Sequence, residues 1–278
     1  MSVKFFDGTR RSVEGRINYA AAMTERPRFY ANDHSRDVLR LDPHLVRIED
    51  MRAAIEPPRL QREGFVLVPH ASAVREFRDP DEVRRVHVPE LEQLVRSLTG
   101  ADAVVVTGGG VLRFGERSAE SGRLNNSQPA RFVHVDVSDS TGAAFAERAQ
   151  PAGAHRPVRR FAHLNLWRAL SQPPQDVPLA VCDARTVRGE DLVPADAVFD
   201  VAGQPEWSFE GLVVRFSPQH RWCYFADMRA SEVLVFKTHD SSAGQPSHVP
   251  HSAFDDPGCP PGVPPRMSIE LRAIAYWL

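Results

Sequence analysis

The sequence predicts a mainly β protein, a sandwich or barrel with flanking helices. Three observations carry that prediction. From residue 131 onward, short runs rich in β-branched and aromatic residues follow one another closely. Turn chemistry separates them, as at Gln172-Pro173-Pro174 and Asp255-Asp256-Pro257-Gly258. Helical periodicity is confined to one stretch before residue 100. Many short strands divided by Gly/Pro turns bury their apolar faces by packing sheet on sheet or by closing a barrel.

The elements follow in order. Residues 1–60 are polar and arginine-rich, and the apolar patches Val38-Leu39-Arg40-Leu41 and Leu45-Val46-Arg47-Ile48 read as short strands or edges. Residues 65–68 form a strand ending at Pro69. Over 81–98, Val83, Val86, Leu91, Leu94, Val95 and Leu98 take mostly helical spacing, with Pro89 opening the helix proper and Gly100 stopping it. Ala103–Thr107 reads as a buried strand. Arg117–Ala130, rich in Ser, Asn and Gly without periodicity, reads as a loop or flexible lid. The expected strands thereafter are Phe132–Val137, Arg160–Trp167, Leu179–Val181, Gly211–Phe216, Trp222–Phe225, Val233–Lys237 and Ser268–Trp277.

With 278 residues, 42% hydrophobic and 25% charged, the chain suits one domain over 1–278. It is read as an α+β extension over 1–130 and a strand-rich core over 131–278. A net charge of −2 gives no electrostatic case for nucleic acid. No run approaches a membrane span, and Met1–Phe6 lacks the apolar stretch of a signal peptide. Cys182, Cys223 and Cys259 form no C-x-x-C, which points to a reducing, cytoplasmic setting. The expected partners are a small-molecule substrate and, between copies, a homodimer.

The chemistry lies in His134-Val135-Asp136, then His251, then Arg266-Met267-Ser268. In a strand, residues i and i+2 share a face, about 7 Å apart along an ideal strand. His134 and Asp136 therefore point the same way. The strand must end or bend near Asp136 for both to reach one metal, and Ser138–Gly142 supplies the break. H-x-D alone is a weak signal, and a strand histidine is commonly a hydrogen-bonded core residue. The order is what raises it: two imidazoles and a carboxylate fill one face of an Fe(II) octahedron and leave positions for a keto acid and dioxygen. Arg266 is placed to hold the far carboxylate of that keto acid through its two-toothed fork, and Ser268, on the same strand face, to give its hydroxyl to the same group.

The remaining candidates are weighed against ordinary roles. His248 rivals His251 as the distal ligand, but its Gln-Pro-Ser context reads as loop, so His251 is preferred. His239 and Asp240 read as a solvated turn. Phe161, His163, Asn165 and Trp167 alternate on one strand face. Asn165 is a co-substrate candidate, and Trp167 core or pocket wall. Arg160 and Arg168 are surface charges or substrate-pocket candidates. Gly108-Gly109-Gly110 lacks the Lys-Ser/Thr of a phosphate loop.

Several blocks carry a family resemblance. They are Val133–Ser138, Asn165–Leu170, Pro178–Asp183, Trp222–Met228, Glu232–Lys237, Pro250–Phe254 and Pro265–Arg272. In this order they resemble the non-haem iron hydroxylase/desaturase family that includes the cephamycin 7α-hydroxylation component, a fungal gibberellin desaturase and the novofumigatonin endoperoxidase. The resemblance spans about 130–278, with a weaker match over 64–110. It implies a double-stranded β-helix (jelly-roll, cupin-like) core in which the H-x-D follows an early strand, the second His opens the seventh and the Arg opens the eighth. It implies Fe(II), 2-oxoglutarate and dioxygen, and hydroxylation, desaturation or oxidative cyclisation of a small, polar natural-product intermediate. Thr107–Gly110 departs from the family's more polar, His-bearing stretch. Two other classes use the same residues: a His/Asp/His metal hydrolase, and a non-catalytic accessory barrel in a modifying complex.

Overall fold

The computed structural model describes residues 12–151 and 156–278. The expectation for Met1–Phe6 lies outside them. Two sheets form the molecule. The five-stranded sheet runs, in spatial order, β4 (Phe65–Pro69), β12 (Glu232–Asp240), β7 (Arg160–Ala169), β14 (Met267–Trp277) and β5 (Ala103–Phe114). The nine-stranded sheet runs β1 (Ser12–Ala20), β3 (Leu41–Asp50), β11 (Trp222–Tyr224), β8 (Leu179–Cys182), β13 (His251–Ala253), β6 (His134–Val135), β10 (Trp207–Val214), β9 (Leu192–Phe199) and β2 (Arg28–Tyr30).

Eight of these strands make the double-stranded β-helix. Four alternate into one sheet as β5-β14-β7-β12 and four into the other as β11-β8-β13-β6, with every neighbour antiparallel. The antiparallel hairpin β9–β10 is inserted between β8 and β11 and lengthens the second sheet beside β6. Counted along the eight, His134 opens the second strand, His251 the seventh, and Arg266 immediately precedes the eighth. β4 and β5 come from the N-terminal extension yet sit in the five-stranded sheet, so extension and core share their sheets.

Alternation sorts the side chains. Ala162, Leu164 and Leu166 of β7, with Ile269, Leu271 and Ala273 of β14, pack beneath a helical segment that contributes Leu91 and Val95. That segment runs from α1 (Pro80–Glu82), capped by Asp79, through a π turn (Val83–His87) into α2 (Val88–Thr99). Gly100 ends it at φ +66°, as its C-cap position predicts. The opposite faces of β7 and β14 look into the barrel, where Trp167, Leu234, Phe236, Val181 and Phe225 close one end.

Several elements differ from the sequence reading. β1 was passed over, although Val13, Ile17 and Tyr19 alternate with polar residues and are buried. β5 runs on through Gly108–Gly110. Its register against β14 jumps there, Thr107 facing Arg272 and Val111 facing Glu270, and Gly108 and Gly110 absorb the bulge at positive φ. The expected break at Ser138–Gly142 takes the form of a helix start. Ser138 accepts the Thr141 N–H and caps α3 (Asp139–Arg148), and β6 is correspondingly only two residues long. No helix among the described residues is long and apolar enough to cross a membrane.

Candidate active site

His134 and His251 face each other across the β6–β13 pair, ring centroids 4.2 Å apart. His134 Nδ1 lies 3.0 Å from Phe132 O and His251 Nδ1 3.2 Å from Val249 O. A carbonyl only accepts, so both imidazoles carry their proton on Nδ1 and turn an unprotonated Nε2 inward. Between them stands Asp136, whose Oδ1 is 3.6 Å from His134 Nε2 and 3.5 Å from His251 Nε2. Bonds of about 2.0–2.2 Å to a central ion bridge such separations. Two imidazole nitrogens and one carboxylate oxygen, all buried, suit a divalent ion of the Fe(II) class. Gly211 lets the strands close here: a Cβ on it would stand 3.1 Å from Asp136 O.

The other carboxylate oxygen is fully engaged. Asp136 Oδ2 accepts from Asn165 Nδ2 at 2.9 Å and from Arg272 Nε at 2.6 Å. Asn165 and Arg272 are themselves a cross-strand pair of β7 and β14, so one rung of the sheet orients the carboxylate. Burial would raise the Asp136 carboxyl, but the Arg272 guanidinium beside it outweighs burial and holds it well below the usual range. Burial, reinforced by His251, pushes His134 down to about 3. Asp136 and His134 are therefore in the protonation states that metal binding needs.

Arg266 and Ser268 are each 1% exposed. Arg266 donates Nη1 to Val177 O at 2.8 Å, and its guanidinium lies 5.4 Å from the centroid of the Trp167 ring. Its Nε and the Ser268 Oγ have no hydrogen-bond partner. Burial, together with Arg113 and Arg131, pushes Arg266 down to about 9. A guanidinium keeps its proton, so this depression reflects a buried cation short of an anion. An orphaned donor beside an orphaned hydroxyl suits a carboxylate.

Two cavities meet at Asp136 and Arg272. One, of about 240 Å³, is walled by Phe29, Phe132, Phe199 and Phe209 and reaches His134. The other, of about 340 Å³, is lined by Phe145, His163, Asn165, Trp207 and the bulge at Thr107-Gly108. These aromatic walls suit a more apolar ligand than the polar one expected. The Arg117–Ala130 segment borders the first cavity through Asn126, Gln128 and Pro129. It is pinned: Arg113 Nη1 donates to Asn126 O, Asn126 Oδ1 and Gln128 O, and Arg117 pairs with Asp176 at 2.7 Å.

Not every sequence candidate arrives here. Asn165 holds the Asp136 carboxylate instead of joining Arg266 and Ser268. Arg160 and Arg168 have the parity of Ala162, Leu164 and Leu166, so they leave from the outer face of β7. Arg160 pairs with Asp240 at 2.6 Å over the Trp277 ring. Arg168 is buried against His70 and the Ala230 carbonyl. Neither lines these cavities. His248 lies apart from the trio, beside His239 and Asp139, and His239 is a buried strand residue, not a solvated turn. Arg272 was missed, although the alternation Arg266, Ser268, Glu270, Arg272 put it on the site face. Arg113 was also missed; only its place near the end of a strand next to the loop hinted at it.

The profile described as "Oxidoreductase/YMDC permease-like domain" matches residues 17–276. An Fe(II)/2-oxoglutarate-dependent dioxygenase of Aspergillus novofumigatus is 30% identical over 240 residues, covering 84% of each chain. A hydroxylase/desaturase of Cercospora beticola is 31% identical, covering 84% of this chain and 76% of its own. A solved structure of the iron and alpha-ketoglutarate-dependent endoperoxidase NvfI superposes with a TM-score of 0.83 at 27% identity, covering 97% of this chain and 99% of that one. The likeness thus extends well upstream of the blocks quoted above.

Proposed function

The chain belongs to this oxidoreductase family and is an Fe(II)/2-oxoglutarate-dependent dioxygenase, and from that premise we propose which of its residues do the work. His134, Asp136 and His251 hold the iron. Arg266 and Ser268 take the far carboxylate of 2-oxoglutarate. The substrate is a small natural-product intermediate, hydroxylated, desaturated or oxidatively cyclised. The observation that carries this reading is the presence, in one fold, of a buried His/Asp/His trio and of a buried guanidinium and hydroxyl that lack an anion.

Iron, when bound with 2-oxoglutarate and dioxygen, supplies oxidation of an unactivated C–H bond at the cost of decarboxylating the keto acid to succinate. The protein's own part is positioning. Asn165 and Arg272 fix one carboxylate oxygen so that the other faces the metal position. The Phe132 and Val249 carbonyls fix the imidazole tautomers. Trp167 supports the Arg266 guanidinium from its face. Phe29, Phe132, Phe199 and Phe209 exclude water and grip an apolar portion of the substrate. Cys182, Cys223 and Cys259 are free thiols, which supports a reducing, cytoplasmic setting.

Protein reconstituted with Fe(II) and given 2-oxoglutarate in air is expected to release succinate slowly without substrate. Release should stop in Arg266→Ala at limiting 2-oxoglutarate. Iron-independent turnover, or full turnover by Arg266→Ala, would contradict the assignment.

A further inference from the structure

A second group of metal-ligating side chains lies outside the site just described. Asp139, His239 and His248 bring one ligand atom each to within 4.8 Å of the others. His239 Nδ1 and His248 Nε2 both lie 3.1 Å from the same oxygen, Asp139 Oδ1. Neither nitrogen makes a hydrogen bond of acceptable geometry, although both are buried from solvent. A tetrahedral ion with bonds of about 2.0–2.1 Å places its ligand atoms about 3.3 Å apart, close to the separations seen.

The fold builds this arrangement deliberately. β12 has a bulge between Lys237 and His239 that re-aims the end of the strand. His239 then stacks on Phe161, ring centroids 5.4 Å apart. Gly142 lets the imidazole lie against α3, since a Cβ there would stand 3.0 Å from the ring. Past His239 the chain is folded back by Ser247 Oγ accepting the Asp240 N–H at 3.0 Å, while Lys237 and Arg160 hold the Asp240 carboxylate. That return delivers His248. Asp139, 77% exposed, and His248 both line an open cleft of about 910 Å³, which gives an ion and its solvent ligands a way in.

We propose that Asp139, His239 and His248 bind one divalent transition-metal ion of the zinc class, with solvent from the cleft completing the coordination. Two imidazoles favour such an ion over calcium or magnesium, which take oxygen ligands. Asp139 stands three residues after Asp136 and His248 three before His251. The ion therefore clamps the start of α3 to the loop that leads into β13, tying together the two segments that flank the first trio. The inference stands independently of the iron assignment.

Metal-stripped full-length protein is titrated with Zn(II) by calorimetry, with thermal unfolding in parallel. The native chain is expected to take up two equivalents. His251→Ala, which breaks the first trio, should keep one tight equivalent and gain thermal stability from it. Adding His248→Gln to that variant should weaken this equivalent by at least about tenfold, the scale of losing even an outer-shell partner, and remove the thermal gain. Asp139→Asn in the native chain, at an exposed position the fold does not need, should reduce uptake from two equivalents to one. The proposal is overturned if folded His251→Ala takes up no zinc, or if its affinity survives His248→Gln. Should His251→Ala fail to fold, undiminished uptake by Asp139→Asn overturns it.

Discussion

Arg272 Nε lies 2.6 Å from Asp136 Oδ2, on the same oxygen that accepts from Asn165 at 2.9 Å. The two donors are opposite each other on neighbouring strands. A single rung of the five-stranded sheet therefore aims a carboxylate carried by the other sheet. Arg272 is in turn held by Glu270 at 3.0 Å, so the aim is supported from behind.

Removing the neutral member of that rung tests its role without stranding a charge. Asn165→Leu is expected to leave the fold intact and to lower Fe(II) affinity roughly 10–100-fold, the usual cost of losing a partner behind a ligand. Iron titration under anaerobic conditions reads this. Native affinity would mean that Arg272 alone suffices.

Arg266 and Ser268 are expected to act on the co-substrate alone. Truncating one partner of a desolvated charge pair costs on the order of 2–5 kcal/mol. Arg266→Ala should raise the 2-oxoglutarate requirement at least about tenfold while iron binds as before. Ser268→Ala should raise it less, since a neutral hydrogen bond contributes about 1 kcal/mol. Steady-state kinetics against 2-oxoglutarate checks both. An unchanged requirement in Arg266→Ala would move the carboxylate to another cation, with Arg113 and Arg131 next in line.

The loop over the first cavity is held by Arg113, whose one nitrogen serves three acceptors in it. Arg113→Leu should release it, and limited proteolysis should then cut between Arg117 and Ala130 faster than in the native chain. Substrate should slow the cut in the native chain if the loop closes over it. Equal cutting in all states would leave the loop with no gating part.

Acid stability follows from histidines buried in the neutral form. Burial pushes His163 and His87 down to about 4. Below an ordinary value of about 6.5 the unfolded chain binds protons that the folded chain refuses. Their contribution is therefore complete above pH 6.5 and is lost as pH falls toward 4, by about 3 kcal/mol for a group shifted that far. Unfolding midpoints of the metal-free protein should drop through this window, and less steeply in His163→Gln. A midpoint independent of pH from 7 to 4 would contradict the buried neutral state.

The strand-rich second half and the order H-x-D, His, R-x-S were legible because alternation and turn residues are local signals. The inner face Phe161, His163, Asn165, Trp167 was read correctly, and the same parity excluded Arg160 and Arg168, which charge alone had suggested. Arg272 was readable by that parity and was overlooked. What local pattern did not carry was pairing at long range. That Asn165 would meet Asp136 depends on a sheet-to-sheet contact. That His239 would turn inward depends on a bulge set by the partner strand. The break after Asp136 was legible, but not its form as a helix start, because a turn and a helix start use the same residues.

The most direct test of the central assignment is the visible charge-transfer absorption of the anaerobic protein with Fe(II) and 2-oxoglutarate, which requires both the metal ligands and the co-substrate in place. The native chain and His248→Ala are expected to give the band, and His251→Ala to give none while remaining folded. A band that persists in His251→Ala and vanishes in His248→Ala would place the distal ligand at His248 and contradict the His134/Asp136/His251 site.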